Sequence, residues 1–513
     1  MPIISLIKIY SINKNQEGLS KMKFYSTRDT KQKKYDSAFV IKQGLAEDGG
    51  LFIPENIPSL DENDIRSLCA MTYHERAAKI LSMYLSDYTY EELLCDCREA
   101  YREESFPGGA TQLSKINDTV YSLELWHGPT AAFKDMALQI MPRLLSRALK
   151  KTGEDKTALI LVATSGDTGK AALEGYKDID KIKIMVYYPE DGVSKVQKLQ
   201  MTTQTGNNVN VCAIKGNFDD AQSGVKKIFS NEEAQKVLAD NSYVLSSANS
   251  INWGRLVPQI VYHISSYCDL INTGDIAYGD TVNVCVPTGN FGNILAAYFA
   301  KLMGLPIDKL ICASNSNNIL TDFFETGSYD KNRKFQLTMS PSMDILISSN
   351  LERLLCFAAG IDETKKYMKE LAETGKYTVS SEVKKSIDEN FVGYFADEKA
   401  TAATIKKYYE QYGYLADTHT SVALNCAEQY VEKTGDTKKI IVASTASPYK
   451  FAADVYYSLV GKQATSDTDA LDELSALTNT EITYPLRNLT ERKINFTKVI
   501  DPKDMLQEVY KFM

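Results

Sequence analysis

The chain has 513 residues, 44% of them hydrophobic and 24% charged, which is length enough for two or three domains with sizeable cores. Its net charge of −8 argues against a nucleic-acid partner, which asks for a basic face, yet leaves room for a small anion on a local positive cluster. Nine cysteines without regular spacing point to reduced thiols, and with only four histidines in the chain the pair Cys95 and Cys97 predicts no metal site.

Residues 1–21 read as an N-terminal extension, or as an upstream start with Met22 as the alternative beginning. Their short apolar stretch is interrupted by Ser5 and Lys8 and lacks a basic leader. No apolar run reaches the roughly 20 residues that span a bilayer. A cytoplasmic location, with no membrane partner, is the expectation. An N-terminal lobe follows over 22–115. Amphipathic helices fill 61–104 and stop at the breaker Phe106-Pro107-Gly108-Gly109.

The texture then becomes α/β. A buried strand over 157–163 runs into Thr164-Ser165-Gly166-Asp167-Thr168-Gly169 and a helix from Lys170. Strands over 182–188 and 209–214 follow. A second such unit places a strand at 281–286, a loop at 287–293 and a helix at 294–303. Later strands fall at 310–313 and 439–443, the last running into Ser444-Thr445-Ala446. This alternation predicts open parallel sheets in two α/β domains with approximate bounds, a smaller one over 116–270 and a larger, discontinuous one over 271–513. Charged helices from about Gln463 to Met513 are expected to close over the larger domain or to serve an interaction, and a ligand is expected at the carboxyl ends of the strands.

Four segments carry chemistry. In Trp126-His127-Gly128-Pro129-Thr130-Ala131-Ala132-Phe133-Lys134-Asp135, Lys134 follows a turn and is flanked by apolar residues. It is either a surface lysine or a desolvated amine able to form a Schiff base. The Ser165–Gly169 loop (165–169) is a capped turn or an anion cradle at a helix start. Gly289-Asn290-Phe291-Gly292-Asn293 also suits a phosphate, although it matches neither a dinucleotide fingerprint nor a P-loop. In Ser250-Ile251-Asn252-Trp253-Gly254-Arg255 the polar residues are helix caps, or Arg255 grips a phosphate or carboxylate. A cofactor with an aldehyde and a phosphate would use a lysine and two cradles together.

These segments together resemble the threonine synthase family of fold type II (tryptophan synthase β-like) pyridoxal-phosphate enzymes. HGPTAAFKD, ATSGDTG, SANSINWGRLVPQ, PTGNFGN and ADTHTSVA occur in order, after FYSTRD and GLAEDGGLFIPE, so the likeness runs from Met22 to about Lys450. The resemblance implies pyridoxal 5'-phosphate as cofactor, held as a Schiff base on Lys134, with Gly289, Asn290, Phe291, Gly292 and Asn293 on its phosphate and Thr445 at its pyridine nitrogen. It implies Ser165, Gly166, Asp167 and Thr168 for the substrate carboxylate, and Ser250, Asn252 and Arg255 for a substrate phosphate. The implied reaction turns O-phospho-L-homoserine and water into L-threonine and phosphate, in a monomer or weak homodimer without a metal. Ser447 and Tyr449 depart from the usual STAHPAKF pattern, and Asp29 stands where glycine is common. Rival readings are a dehydratase or cysteine synthase on the same fold, a non-catalytic or phospholyase-type relative that keeps the cofactor, and a dinucleotide- or phosphate-binding regulatory module, which would show no visible chromophore.

Overall fold

A computed structural model describes residues 21–164 and 166–513. The proposed extension 1–21 therefore lies outside the described residues except for Lys21, and so does Ser165. The N-terminal lobe begins with a short antiparallel ribbon, β1 (Phe24–Ser26) against β2 (Phe52–Pro54). Its helices Glu62–Cys69, Tyr73–Tyr84 and Tyr90–Ala100 each start with a capping box, set by Asp61 with Asp64, Thr72 with Glu75 and Thr89 with Glu92. Each box satisfies amides that the first helical turn leaves open.

The next strands are β3 (Gln112–Lys115), β4 (Val120–Glu124), β5 (Thr157–Ala163), β6 (Ile182–Pro189), β7 (Val209–Ile214) and β8 (Tyr243–Ser246). Then come β9 (Val282–Pro287), β10 (Ile307–Ser314), β11 (Ser328–Asp330), β12 (Lys376–Thr378), β13 (Phe391–Phe395), β14 (Ile440–Ser444) and β15 (Val499–Ile500). Two open sheets result. One has the order β13-β10-β9-β14-β4-β3 and is parallel except for the β3–β4 hairpin. The other, β15-β7-β6-β5-β8, is parallel throughout. β5, β9 and β14 are apolar runs because helices cover both faces of such a sheet.

Two boundaries differ from the sequence expectation. A smaller domain is expected over 116–270, but β4 pairs with β14, Val120 opposite Ile440 through Glu124 opposite Ser444. The lysine segment therefore leaves the end of a six-stranded-sheet strand, and all of β4 is buried there. The helix Trp253–Asn272 likewise packs on Tyr73–Tyr84 and Gly292–Leu302. The C-terminal residues also do not simply cover the larger domain. Asp469–Thr478 packs on Ala452–Val460, but β15 then adds to the edge of the five-stranded sheet. Ile500, Met505 and Val509 enter its apolar cluster with Ile214 and Ala221, and this burial draws the chain's last helix across.

Candidate active site

Lys134 begins the single-turn helix Asp135–Leu138 just beyond the end of β4. Its approach is held from two sides. Asp135 accepts hydrogen bonds from the Thr130 amide and hydroxyl, both at 2.8 Å. The Phe133 amide donates to the Thr445 carbonyl at 2.8 Å, and Ala132 bridges Ala446. Thr445, just past the end of β14, is thus held beside the lysine segment that follows β4, the strand paired with β14.

The Lys134 side chain is 12% exposed and its Nζ lies 3.4 Å from Asp167 Oδ2. Burial pushes the amine below its usual range; Asp167 pulls it partly back, and Lys450 and Arg255 push it further down. Asp167 opens the helix Asp167–Tyr176 after β5. Its Oδ1 forms an ion pair with Lys450 Nζ at 3.1 Å and accepts from Gln197 Nε2 at 2.8 Å. Burial alone would raise the Asp167 carboxyl, but Lys450, Lys134 and Gln197 together hold it well below the usual carboxylate range. An anion so placed serves as counter-ion to two buried amines. A substrate carboxylate in this loop would therefore look to Thr168 and backbone amides. The loop is braced by Thr164 Oγ1, which takes the amides of Gly166 and Gly169, both at 3.0 Å.

The second cradle follows β9. Gly289 has no room for a side chain, because a Cβ there would come 2.5 Å from the Ser342 carbonyl oxygen. Phe291 adopts a left-handed conformation at φ 65°, a strain of about 1–2 kcal/mol for a bulky residue. Its ring is fixed against Phe324 and Phe391, so only its backbone faces the cradle. No side chain caps the helix Gly292–Leu302. Asn290 is exposed, and its carbonyl accepts the Asn350 amide and Nδ2 at 3.1 and 2.9 Å. Asn293 is buried; His263 Nε2 donates to its Oδ1 at 2.9 Å. Burial pushes His263 down to about 4, so the ring is neutral, and this bond orients the amide. Asn293 Nδ2 is left buried without a partner among the described residues.

These groups fit pyridoxal phosphate. A buried amine below its usual range suits a Schiff base. Uncapped helix amides and an orphaned amide donor suit a phosphate dianion. Thr445 is held next to the lysine by its backbone bond to Phe133, where its hydroxyl is available to a ring nitrogen.

The remaining sequence candidates divide. Arg255 is buried, and its Nη1 donates to the Ala248 carbonyl at 2.5 Å while its Nε has no partner among the described residues. Burial pushes it down to about 10, which leaves it cationic at neutral pH. Asn252 is the N-cap of Trp253–Asn272, accepting the Gly254 amide at 2.9 Å and donating to the Ile41 carbonyl at 2.9 Å. Both ends of its amide are thus occupied by structural bonds. The Ser250 carbonyl accepts from Asn350 at 3.3 Å. The departures are harmless to the lysine. Ser447 caps the turn at Pro448–Phe451, Tyr449 bonds Thr480, and Asp29 accepts the amides of Lys31 and Lys33 in a surface turn. Sequence reasoning missed Lys450, Gln197, His263 and Ser342, none of which sits in a glycine-rich motif. Lys450 alone had a signal, as the cation in the Thr445 segment.

Comparison with known proteins fits this geometry. A model of pyridoxal-phosphate dependent enzymes matches residues 109–445. A model of the threonine synthase N terminus matches residues 23–101. The chain is 35% identical to threonine synthase of Saccharomyces cerevisiae over 466 residues, 85% of this chain and 89% of that protein. It is 39% identical to human threonine synthase-like 1 over 476 residues, 89% of this chain but 63% of that protein, so it spans under two thirds of that relative's length. A crystal structure of pyridoxal-phosphate-bound threonine synthase from Brucella melitensis superposes with a TM-score of 0.85 at 36% identity, covering 96% of this chain and 99% of that one. The fold is that of a fold type II pyridoxal-phosphate enzyme, and the cofactor is pyridoxal phosphate. Within that class, the chain belongs to the threonine synthase family. Among the described residues no helix is long and apolar enough to cross a membrane, and no cluster of side chains could hold a metal.

Proposed function

We propose that the chain converts O-phospho-L-homoserine and water into L-threonine and inorganic phosphate. The observation that carries this reading is Lys134, a buried amine of lowered basicity with Asp167 at 3.4 Å, whose Nζ also reaches Ser342, the residue packed on Gly289. Lys134, Gly289, Asn290, Phe291, Gly292 and Asn293 would hold pyridoxal phosphate, which when bound would supply the electron sink that lets a proton leave the substrate Cα.

The protein's own residues do the rest. Lys134 would be the base that takes the proton from the substrate Cα, which a lysine of ordinary basicity could not do at neutral pH. Asp167 keeps that amine in place and stabilises the ammonium form once the proton has arrived. Arg255, buried, cationic and without a carboxylate partner among the described residues, gives the substrate phosphate a charged anchor. Gly166 and Thr168 form the loop for the substrate carboxylate, with Ser165 and Ser250 as further candidates. Thr445 would offer the pyridine nitrogen a neutral hydroxyl, which would support a full positive charge there poorly and so limit side reactions.

The test is the stoichiometry of products from O-phospho-L-homoserine. One threonine per phosphate released supports the reading. Phosphate accompanied by 2-oxobutanoate and ammonia would replace it with a phospholyase. No phosphate release would remove the substrate altogether.

A further inference from the structure

Ser342 belongs to none of the motifs that define the site, yet three of its groups meet there. Its hydroxyl accepts from Lys134 Nζ at 3.3 Å and donates to Asp167 Oδ2 at 3.4 Å. Its carbonyl oxygen is the atom that a side chain on Gly289 would strike. Its amide donates to His419 Nε2 at 3.1 Å. The short helix Pro341–Met343 that carries it is braced from outside, by Asn315 Nδ2 on Ser340 Oγ at 2.9 Å and by the Met339 amide on Glu398 Oε2 at 2.9 Å.

The bond to His419 specifies a tautomer. A ring nitrogen that accepts an amide carries no proton, so the proton is on Nδ1, which donates to Asp417 Oδ2 at 2.7 Å. Asp417 is fully buried and also takes the amides of His419 and Thr420 at 2.9 and 3.0 Å. Asp417 therefore sets the ring, the ring holds the Ser342 amide, and the backbone delivers the hydroxyl to the lysine.

We propose that Ser342 is a catalytic residue of the lysine exchange: together with Asp167 it receives the Lys134 amine when another amine displaces it from the cofactor, and Asp417 with His419 is the positioning pair that keeps it there. The proposal rests on the reading of Lys134 as the cofactor lysine. The physical need is plain. An amine released into a buried site must find partners, or its release is disfavoured. Asp167 and Ser342 are the side chains in hydrogen-bond reach of Nζ among the described residues, with the Phe133 ring 5.1 Å away on a third side. Holding the turn in place would need only its backbone; a hydroxyl between lysine and carboxylate is an addition to that.

The holoenzyme can be asked directly with hydroxylamine. The reagent's nitrogen replaces the lysine nitrogen on the cofactor carbon, its two N–H protons end on Lys134, and the visible band is lost as the amine departs. Ser342→Ala is expected to keep the band but lose it roughly fivefold to tenfold more slowly, the worth of one hydrogen bond. It should lower kcat for O-phospho-L-homoserine by a similar factor with KM little changed, and Ser342→Thr, which keeps the hydroxyl, should restore both. A turn that merely loosened would admit the reagent and speed the loss, so the sign separates the two cases. His419→Ala should also slow the loss, and the double variant should be no slower than Ser342→Ala, because both act through one hydroxyl. Loss at the original rate or faster in Ser342→Ala overturns the role of Ser342, and additive effects overturn the link to His419. Should Ser342→Ala fail to hold the cofactor, Ser342→Cys, of similar size but a poorer acceptor, takes its place: slower loss of the band supports the role, and an unchanged or faster loss overturns it. Failure of the lysine reading shows elsewhere, as a band that survives in Lys134→Ala.

Discussion

Asp167→Asn is the most informative single change, because Asp167 is the counter-ion of two buried lysines. Its Oδ1 takes Lys450 at 3.1 Å and its Oδ2 takes Lys134 at 3.4 Å. At an effective dielectric of about 20 each contact is worth about 5 kcal/mol before desolvation is subtracted. Removing one member of a buried ion pair costs about 3–5 kcal/mol net, because the partner stays behind uncompensated. Asparagine keeps one carbonyl for Lys450 and Gln197, but its amide then turns donor against donor toward Lys134 and Ser342. The holoenzyme should unfold several degrees lower. The kinetic sign is set separately. Asp167 raises the basicity of Lys134, so without it the amine is less basic. The acid limb of kcat against pH, where the freed lysine becomes protonated and stops acting as a base, should move to lower pH. The two measurements are thermal unfolding of the holoenzyme and a pH profile of phosphate release. A variant with unchanged melting, or an acid limb that moves toward alkali, would refute the counter-ion argument.

Arg255→Ala should raise KM for O-phospho-L-homoserine roughly tenfold to a hundredfold, the value of a charged hydrogen bond, with the visible band intact; an unchanged KM removes Arg255 from the substrate site. Gly289→Ala places a methyl 2.5 Å from the Ser342 carbonyl, so cofactor dissociation measured by dialysis should quicken, and equal retention would show that the turn at 341–343 yields cheaply. Thr445→Asp offers the pyridine nitrogen an anion and should shift products from threonine toward ketoacid, a partition read by product analysis. Asp454 is pushed up to about 6, by burial first and then by Glu398 and Asp467. Its contribution is therefore present below the ordinary Asp range and lost as pH rises through about 6. Asp454→Asn should then stabilise the protein by about 1–2 kcal/mol at pH 8 and little at pH 4, and equal melting shifts at both would contradict this.

What could be read from the sequence and what could not follow one physical line. The bounds of β5 and β7 are legible to the residue, because an apolar run bounded by turn signals is local information. The Lys134 segment and the cradle at 289–293 are legible for the same reason, since a backbone that must approach a ligand demands glycine at fixed places. Sheet membership is not local. β4 is an ordinary apolar strand, and only its pairing with β14 reveals which sheet it joins. The reach of β15 across to β7 depends on the burial of Ile500, Met505 and Val509 against residues nearly three hundred positions away. Asn252 and Arg255 show the limit within a single motif: both are polar at a helix start, yet one is occupied in capping and the other is left with an open donor.

The same line explains why the electrostatics of the site stayed hidden. A lysine's basicity depends on which charges share its burial, and those charges come from separate elements. Asp167 follows β5, Lys450 follows β14, Gln197 lies on the helix Lys195–Thr202, and Ser342 lies in a turn between β11 and β12. The motif around Lys134 identifies the amine but does not contain the groups that tune it. That separation allows the tuning to change without touching the motif: a related chain could keep HGPTAAFKD and both cradles, lose the hydroxyl at 342 or the amine at 450, and handle its protons differently on the same fold. An assignment of activity within this family should therefore compare the partners of Lys134 in space before it compares the motif that carries it.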